Sequence, residues 1–206
     1  MARFTKNGTK VLEAHLTGDS IRCLTGSMVA YEGNVAFKKE GMGGGGGFKS
    51  AMKRKLTGES LSMMEASGNG VVYLANNATE IEIVELQNET LSVESSALLA
   101  LERSLRTDVA FAGLRGASSG QGLFTTTVSG QGECAILSDG PMIALEVSPA
   151  YPLVVDPDAF IAHRGQLKQS FVTGVSWKSI LGQDGGEPYS LRFDGSGVVY
   201  IQPAER

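Results

Sequence analysis

Gly68-Asn69-Gly70-Val71-Val72-Tyr73-Leu74 is echoed twice further along the chain. Gly130-Gln131-Gly132 leads into Cys134-Ala135-Ile136-Leu137, and Gly195-Ser196-Gly197 leads into Val198-Val199-Tyr200-Ile201, at offsets of 62 and 65 positions. Self-similarity of this kind is weighed first, because missing it misassigns the whole fold. A glycine-led stretch precedes each copy: Gly58-Glu59-Ser60-Leu61, Gly120-Gln121-Gly122-Leu123 and Gly186-Glu187-Pro188-Tyr189. A second signature, apolar-Ala-x, falls at Val29-Ala30-Tyr31, Leu99-Ala100-Leu101 and Ile161-Ala162-His163. A third links Phe48-Lys49-Ser50 with Trp177-Lys178-Ser179.

These signatures divide the chain into residues 58–119, residues 120–185 and a half unit at 186–206 that residues 1–57 complete. The expectation is one compact body of three β-sandwich-like repeats with pseudo-threefold symmetry, in which Glu187–Gln202 pairs with a strand from residues 1–57. Within the units, Ile143, Leu145 and Val147 alternate with Ala144 and Glu146, and Leu91 and Val93 alternate with Thr90, Ser92 and Glu94, as half-buried strands do. Turn clusters at Ala75-Asn76-Asn77-Ala78, Ser138-Asp139-Gly140-Pro141 and Asp156-Pro157-Asp158 recur at the short intervals of an all-β fold. Ala97, Leu98, Leu101 and Leu105 stand at helical spacing, yet their counterparts at Met28–Asn34 and Phe160–Gln166 carry aromatic, β-branched and glycine residues, so all three read as strand. Short helices are expected at Phe48–Leu56 and Trp177–Leu181, in the connections between units.

Twenty-seven glycines and few prolines in 206 residues suit a chain of many short β elements. A formal charge of −4 gives no global attraction to nucleic acid or anionic lipid, so such a partner would need a local patch. Cys23 and Cys134 form no C-x-x-C pattern and read as two small buried thiols. No apolar signal core opens the chain and no run approaches the roughly 18 apolar residues that cross a bilayer, so a cytoplasmic location is expected.

Gly43-Gly44-Gly45-Gly46-Gly47-Phe48-Lys49-Ser50 invites comparison with a phosphate-binding loop, but Phe48 separates the last glycine from the lysine, so amides and ammonium do not converge on one anion. A glycine linker capping a turn is the better reading. Lys38, Lys39, Lys49, Lys53, Arg54 and Lys55 are six of the eighteen basic residues and flank that run, with Glu40 alone opposing them. They are the candidate anion-binding site for RNA or acidic lipid headgroups; a solvated charged face is the competing reading, since only Phe37 and Phe48 could stack bases. His15 and His163 lack neighbours at metal-ligand spacing, and Asp156 and Asp158 read as turn chemistry. His163 with a serine and an aspartate could be drawn as a triad, but no nucleophile-elbow motif is present. Trp177 reads as a core or inter-unit anchor. No catalytic, cofactor or metal site emerges, and a non-enzymatic protein is expected.

Gly26-Ser27-Met28-Val29-Ala30-Tyr31, the glycine-rich stretch leading into Lys49-Ser50 and Leu56-Thr57-Gly58-Glu59-Ser60-Leu61, and Leu153-Val154-Val155-Asp156-Pro157 together resemble the altered-inheritance-of-mitochondria (mitochondrial biogenesis) family over nearly the whole chain. Ala112-Gly113-Leu114-Arg115-Gly116-Ala117 departs from it by lacking the Lys-Ser pair, and Gln183-Asp184-Gly185-Gly186-Glu187-Pro188 replaces the usual closing glycine strand. The resemblance implies a fold similar to the tryptophan-RNA-binding attenuation protein, whose subunits form rings, and hence a homo-oligomer, a trimer being favoured. It also implies a scaffold or interaction role with a protein partner.

Overall fold

The computed structural model describes residues 2–39, 61–111, 124–173 and 189–204. The chain divides into two compact units, Met1–Asp139 and Gly140–Arg206. The first unit contains β1 (Arg3–Asn7), β2 (Val11–Leu24), β3 (Met28–Lys39), β4 (Met63–Leu74), β5 (Glu80–Glu94), β6 (Leu98–Glu102), β7 (Arg106–Phe111) and β8 (Phe124–Ser138). The second contains β9 (Ile143–Val147), β10 (Leu153–Val155), β11 (Phe160–Thr173) and β12 (Tyr189–Ile201). The all-β expectation is met among the described residues, which add two single 3-10 turns before β6 and β11. The helices expected at Phe48–Leu56 and Trp177–Leu181 lie outside the described residues.

Each Gly-x-Gly motif sits inside a long strand that has partners on both edges. β4 lies between β2 and β3. β8 lies between β5 on one edge and β6 with β7 on the other. β12 lies between β11 on one edge and β9 with β10 on the other. All these pairings are antiparallel, and along the chain the two flanks come first and the glycine strand last. The sets therefore occupy contiguous spans, 11–74, 80–138 and 143–201.

This arrangement corrects the phase expected from the sequence. Tyr189–Ile201 takes its partners from residues 143–173 and pairs with no described strand of residues 1–57. The cause lies in the glycines. Gly70 stands opposite Gly33 and Gly197 opposite Gly165, so a glycine strand matches the strand before it in its own span. At Gly33 (φ +86°) an added Cβ would stand 2.5 Å from the Asn69 carbonyl oxygen and 2.9 Å from Gly70 Cα, so only two facing glycines permit the approach. The strand also bends there. The Tyr31 and Phe37 rings meet edge-to-face with centroids 5.3 Å apart, although six residues of straight strand span about 20 Å.

The apolar-Ala-x signature marks a β-bulge at one position in each set. Met28 pairs with Leu74 but Ala30 with Tyr73; Leu98 pairs with Ile136 but Ala100 with Ala135; Phe160 pairs with Ile201 but Ala162 with Tyr200. Two residues then oppose one, and the strand's inside-outside alternation slips by a step. Ala97, Leu98, Leu101 and Leu105, set at helix-like spacing, are all buried, but Ala97 belongs to the 3-10 turn and Leu98–Glu102 is a strand with every residue buried. In the first unit the core gathers Leu12, Ile21, Leu74, Ile81 and Leu99. In the second, Phe160, Leu191, Phe193 and Val199 are buried. The alternation read at Ile143–Val147 holds only in part, because Ile143 is exposed and Val147 buried.

Candidate functional site

The surface that stands out is the bulge of β3. The bulge residues of the other sets are buried: Leu98 and Leu99 are 0% exposed, Phe160 3% and Ile161 1%. Met28 is 36% and Val29 59% exposed, with Tyr31 beside them at 49%. For β6 the reason is visible, since its outer edge pairs with β2 through Ala100↔Cys23, Leu101↔Arg22 and Glu102↔Ile21. The corresponding edge of β3, Ala30–Glu32, has no strand beyond it among the described residues. An edge of twelve residues without proline, carrying exposed apolar side chains, is the kind of edge that accepts another strand. Residue type alone gave no sign of this, because Met28-Val29 is as apolar as Leu98-Leu99.

The basic cluster is only partly in view. Lys38 and Lys39 end β3 and are exposed, with Lys38 opposite Glu65 and Lys39 opposite Met64 on β4. Lys49, Lys53, Arg54 and Lys55 lie outside the described residues, as do the glycine run and Trp177. The described structure therefore brings two of the six basic residues together.

The first unit also has a cleft of about 380 Å³, with Asp19, Glu65, Glu102 and Arg103 among its lining residues. Arg103 Nη1 approaches Glu65 Oε2 at 3.6 Å. Glu102 is 5% exposed, and its carboxylate accepts the Glu133 backbone N–H at 3.0 Å, while burial raises its pKa. A side chain at Gly132 would collide with that carboxylate, so the second glycine of this motif makes room for Glu102. The carboxylate is thus engaged in holding the backbone of β8.

The histidines serve separate places. His15 Nε2 stands 3.0 Å from Thr5 Oγ1 and 3.5 Å from Glu13 Oε2. His163 packs its ring 5.4 Å from that of Phe193 and 6.2 Å from that of Phe160, and its Nδ1 is buried without a hydrogen-bond partner. Burial holds its pKa below the ordinary histidine value. Asp156 accepts the Asp158 N–H at 3.0 Å and caps a 3-10 turn, as its turn reading implies. Cys23 and Cys134 are free and buried, and burial pushes both thiols up to about 12.

Comparison with known proteins places this architecture. The model of the family described as Mitochondrial biogenesis AIM24 matches residues 3–204. The chain belongs to that family. Among solved structures, the crystal structure of protein SPYM3_0169 from Streptococcus pyogenes superposes with a TM-score of 0.75 at 24% identity, over all of this chain and 94% of that one. That likeness extends to the fold. No curated protein matches the chain.

Proposed function

We propose that this AIM24-family chain is a non-enzymatic interaction protein, built from three versions of one module, a glycine-bearing strand between two flanks, which works by self-assembly through the uncovered edge of β3. The observation that carries the reading is the contrast between Met28-Val29, exposed on an unpaired edge, and their counterparts Leu98-Leu99, buried in a strand whose next residues, Ala100–Glu102, pair with β2. A module whose bulge is normally covered presents an open acceptor when the cover is missing. The family resemblance favours a closed ring, a trimer first, and the role is that of a scaffold.

Light scattering of the purified chain tests this. The expected result is a discrete oligomer that Val29→Asp, which places a charge on the exposed edge, shifts to the monomer without lowering the melting temperature. A wild-type chain that remains monomeric at the highest soluble concentration overturns the self-assembly reading.

A further inference from the structure

The exposed large apolar residues described fall in two groups, Met28, Val29 and Tyr31 on or beside the edge of β3, and Ile143, Tyr151 and Val154 on or beside β9 and β10. β9 and β10 form one flank of the third set, the position that β2 holds in the first. The first unit itself shows which strand a bulge-bearing edge accepts: β6, the bulged flank of the second set, is covered by β2, the first flank of the set before it. By the same rule the edge of β3 calls for a first flank with an open outer edge. Among the described residues β9 and β10 each pair with β12 alone as a neighbouring strand.

Charge points the same way. β3 ends in exposed Lys38 and Lys39. Residues 143–158 contain Glu146, Asp156 and Asp158 and no lysine or arginine. Joining two β9–β10 edges would set like charges together, whereas joining one edge of each kind sets opposite charges together.

Resting on the self-assembly reading, we infer that copies of this chain associate head to tail, the β3 edge of one copy docking against the β9–β10 edge of the next. The contact is heterologous, so every copy presents one edge of each kind, and the assembly either closes into a ring or continues as a filament. The β3 edge supplies main-chain donors and acceptors, Val29 and Tyr31 meet Ile143 and Val154, and the lysine pair lies toward the acidic flank.

Complementation by charge reversal tests the inference. Two variants are made, Lys38→Glu with Lys39→Glu in one chain and Glu146→Lys in another; all three side chains are exposed, and circular dichroism checks that both variants fold. Each variant alone is expected to associate about tenfold more weakly than wild type or worse. An equimolar mixture is expected to associate well beyond either variant alone, because the reversed edge of one variant meets the reversed edge of the other and the unaltered edges match likewise, in two of the three contacts of a trimeric ring and in every contact of an alternating filament. If wild type assembles but neither variant weakens it, or the mixture fails to recover, the head-to-tail contact is wrong and self-assembly through another surface stands. A monomeric wild type overturns both readings. Recovery in the mixture with loss in each variant alone is the result that a symmetric contact between two β3 edges cannot give.

Discussion

Replacing Gly33 with alanine tests the idea that facing glycines set which strands pair. Two costs add at this position. An L-residue held at φ +86° loses about 1–2 kcal/mol against glycine. The new Cβ also stands 2.5 Å from the Asn69 carbonyl oxygen and 2.9 Å from Gly70 Cα, so β3 and β4 must separate locally and weaken the ladder bonds on either side, each worth about 0.5–1.5 kcal/mol net. Gly8→Ala provides the control, since Gly8 also has positive φ, +66°, but an added methyl there would meet nothing within 4 Å. Urea unfolding followed by circular dichroism should show Gly33→Ala destabilised by about 3–4 kcal/mol and Gly8→Ala by about 1 kcal/mol. Equal losses would refute the reasoning, because they would leave close approach of the strands with no energetic weight.

Other outcomes are expected. In the folded chain Cys23 and Cys134 should resist a thiol reagent at pH 8, where thiols held up to about 12 carry almost no thiolate, and both should react once urea unfolds it; rapid labelling of either native thiol contradicts this. His163 is held neutral, so near pH 6.5 and below the unfolded chain binds a proton that the folded chain excludes. Its contribution is present above pH 6.5 and lost as the pH falls through that value toward the lowered folded pKa. His163→Phe should therefore flatten the decline of melting temperature between pH 7 and pH 5, and parallel declines would remove His163 as its source. Glu102→Ala should cost about 1–3 kcal/mol by leaving the Glu133 N–H without its acceptor, and Glu102→Gln much less, both read in urea unfolding.

The strand character of Leu98–Glu102 and of its counterparts was legible because three versions of one stretch could be compared, and the β-branched and glycine residues of two outweighed the helical spacing of the third. The spacing of about 62 to 65 residues was legible as well, but a period does not carry a phase. Gly68-Asn69-Gly70 opens an apolar run and so reads as a beginning, whereas it lies in the last strand of its set, because the backbone approach it permits is to β3, earlier in the chain. The exposed edge was illegible for a related reason. Whether Val29 or Leu99 is buried depends on the strand beyond it, and neither residue encodes that neighbour. Lys38 and Lys39 were found by composition, and their place at the end of an open edge came only from the pairing.

Because each set ends on its own central strand, the chain has natural seams at residues 75–79 and 139–142, where one set is finished and the next has not begun. A break there takes no strand away from the flanks it joins within its set. A break at residue 58 or 120, where the sequence motifs invite one, would part a central strand from both of its flanks. If the chain grew by duplication, the copied piece ran from seam to seam, and a fourth copy spliced at a seam would arrive already holding its central strand between both flanks.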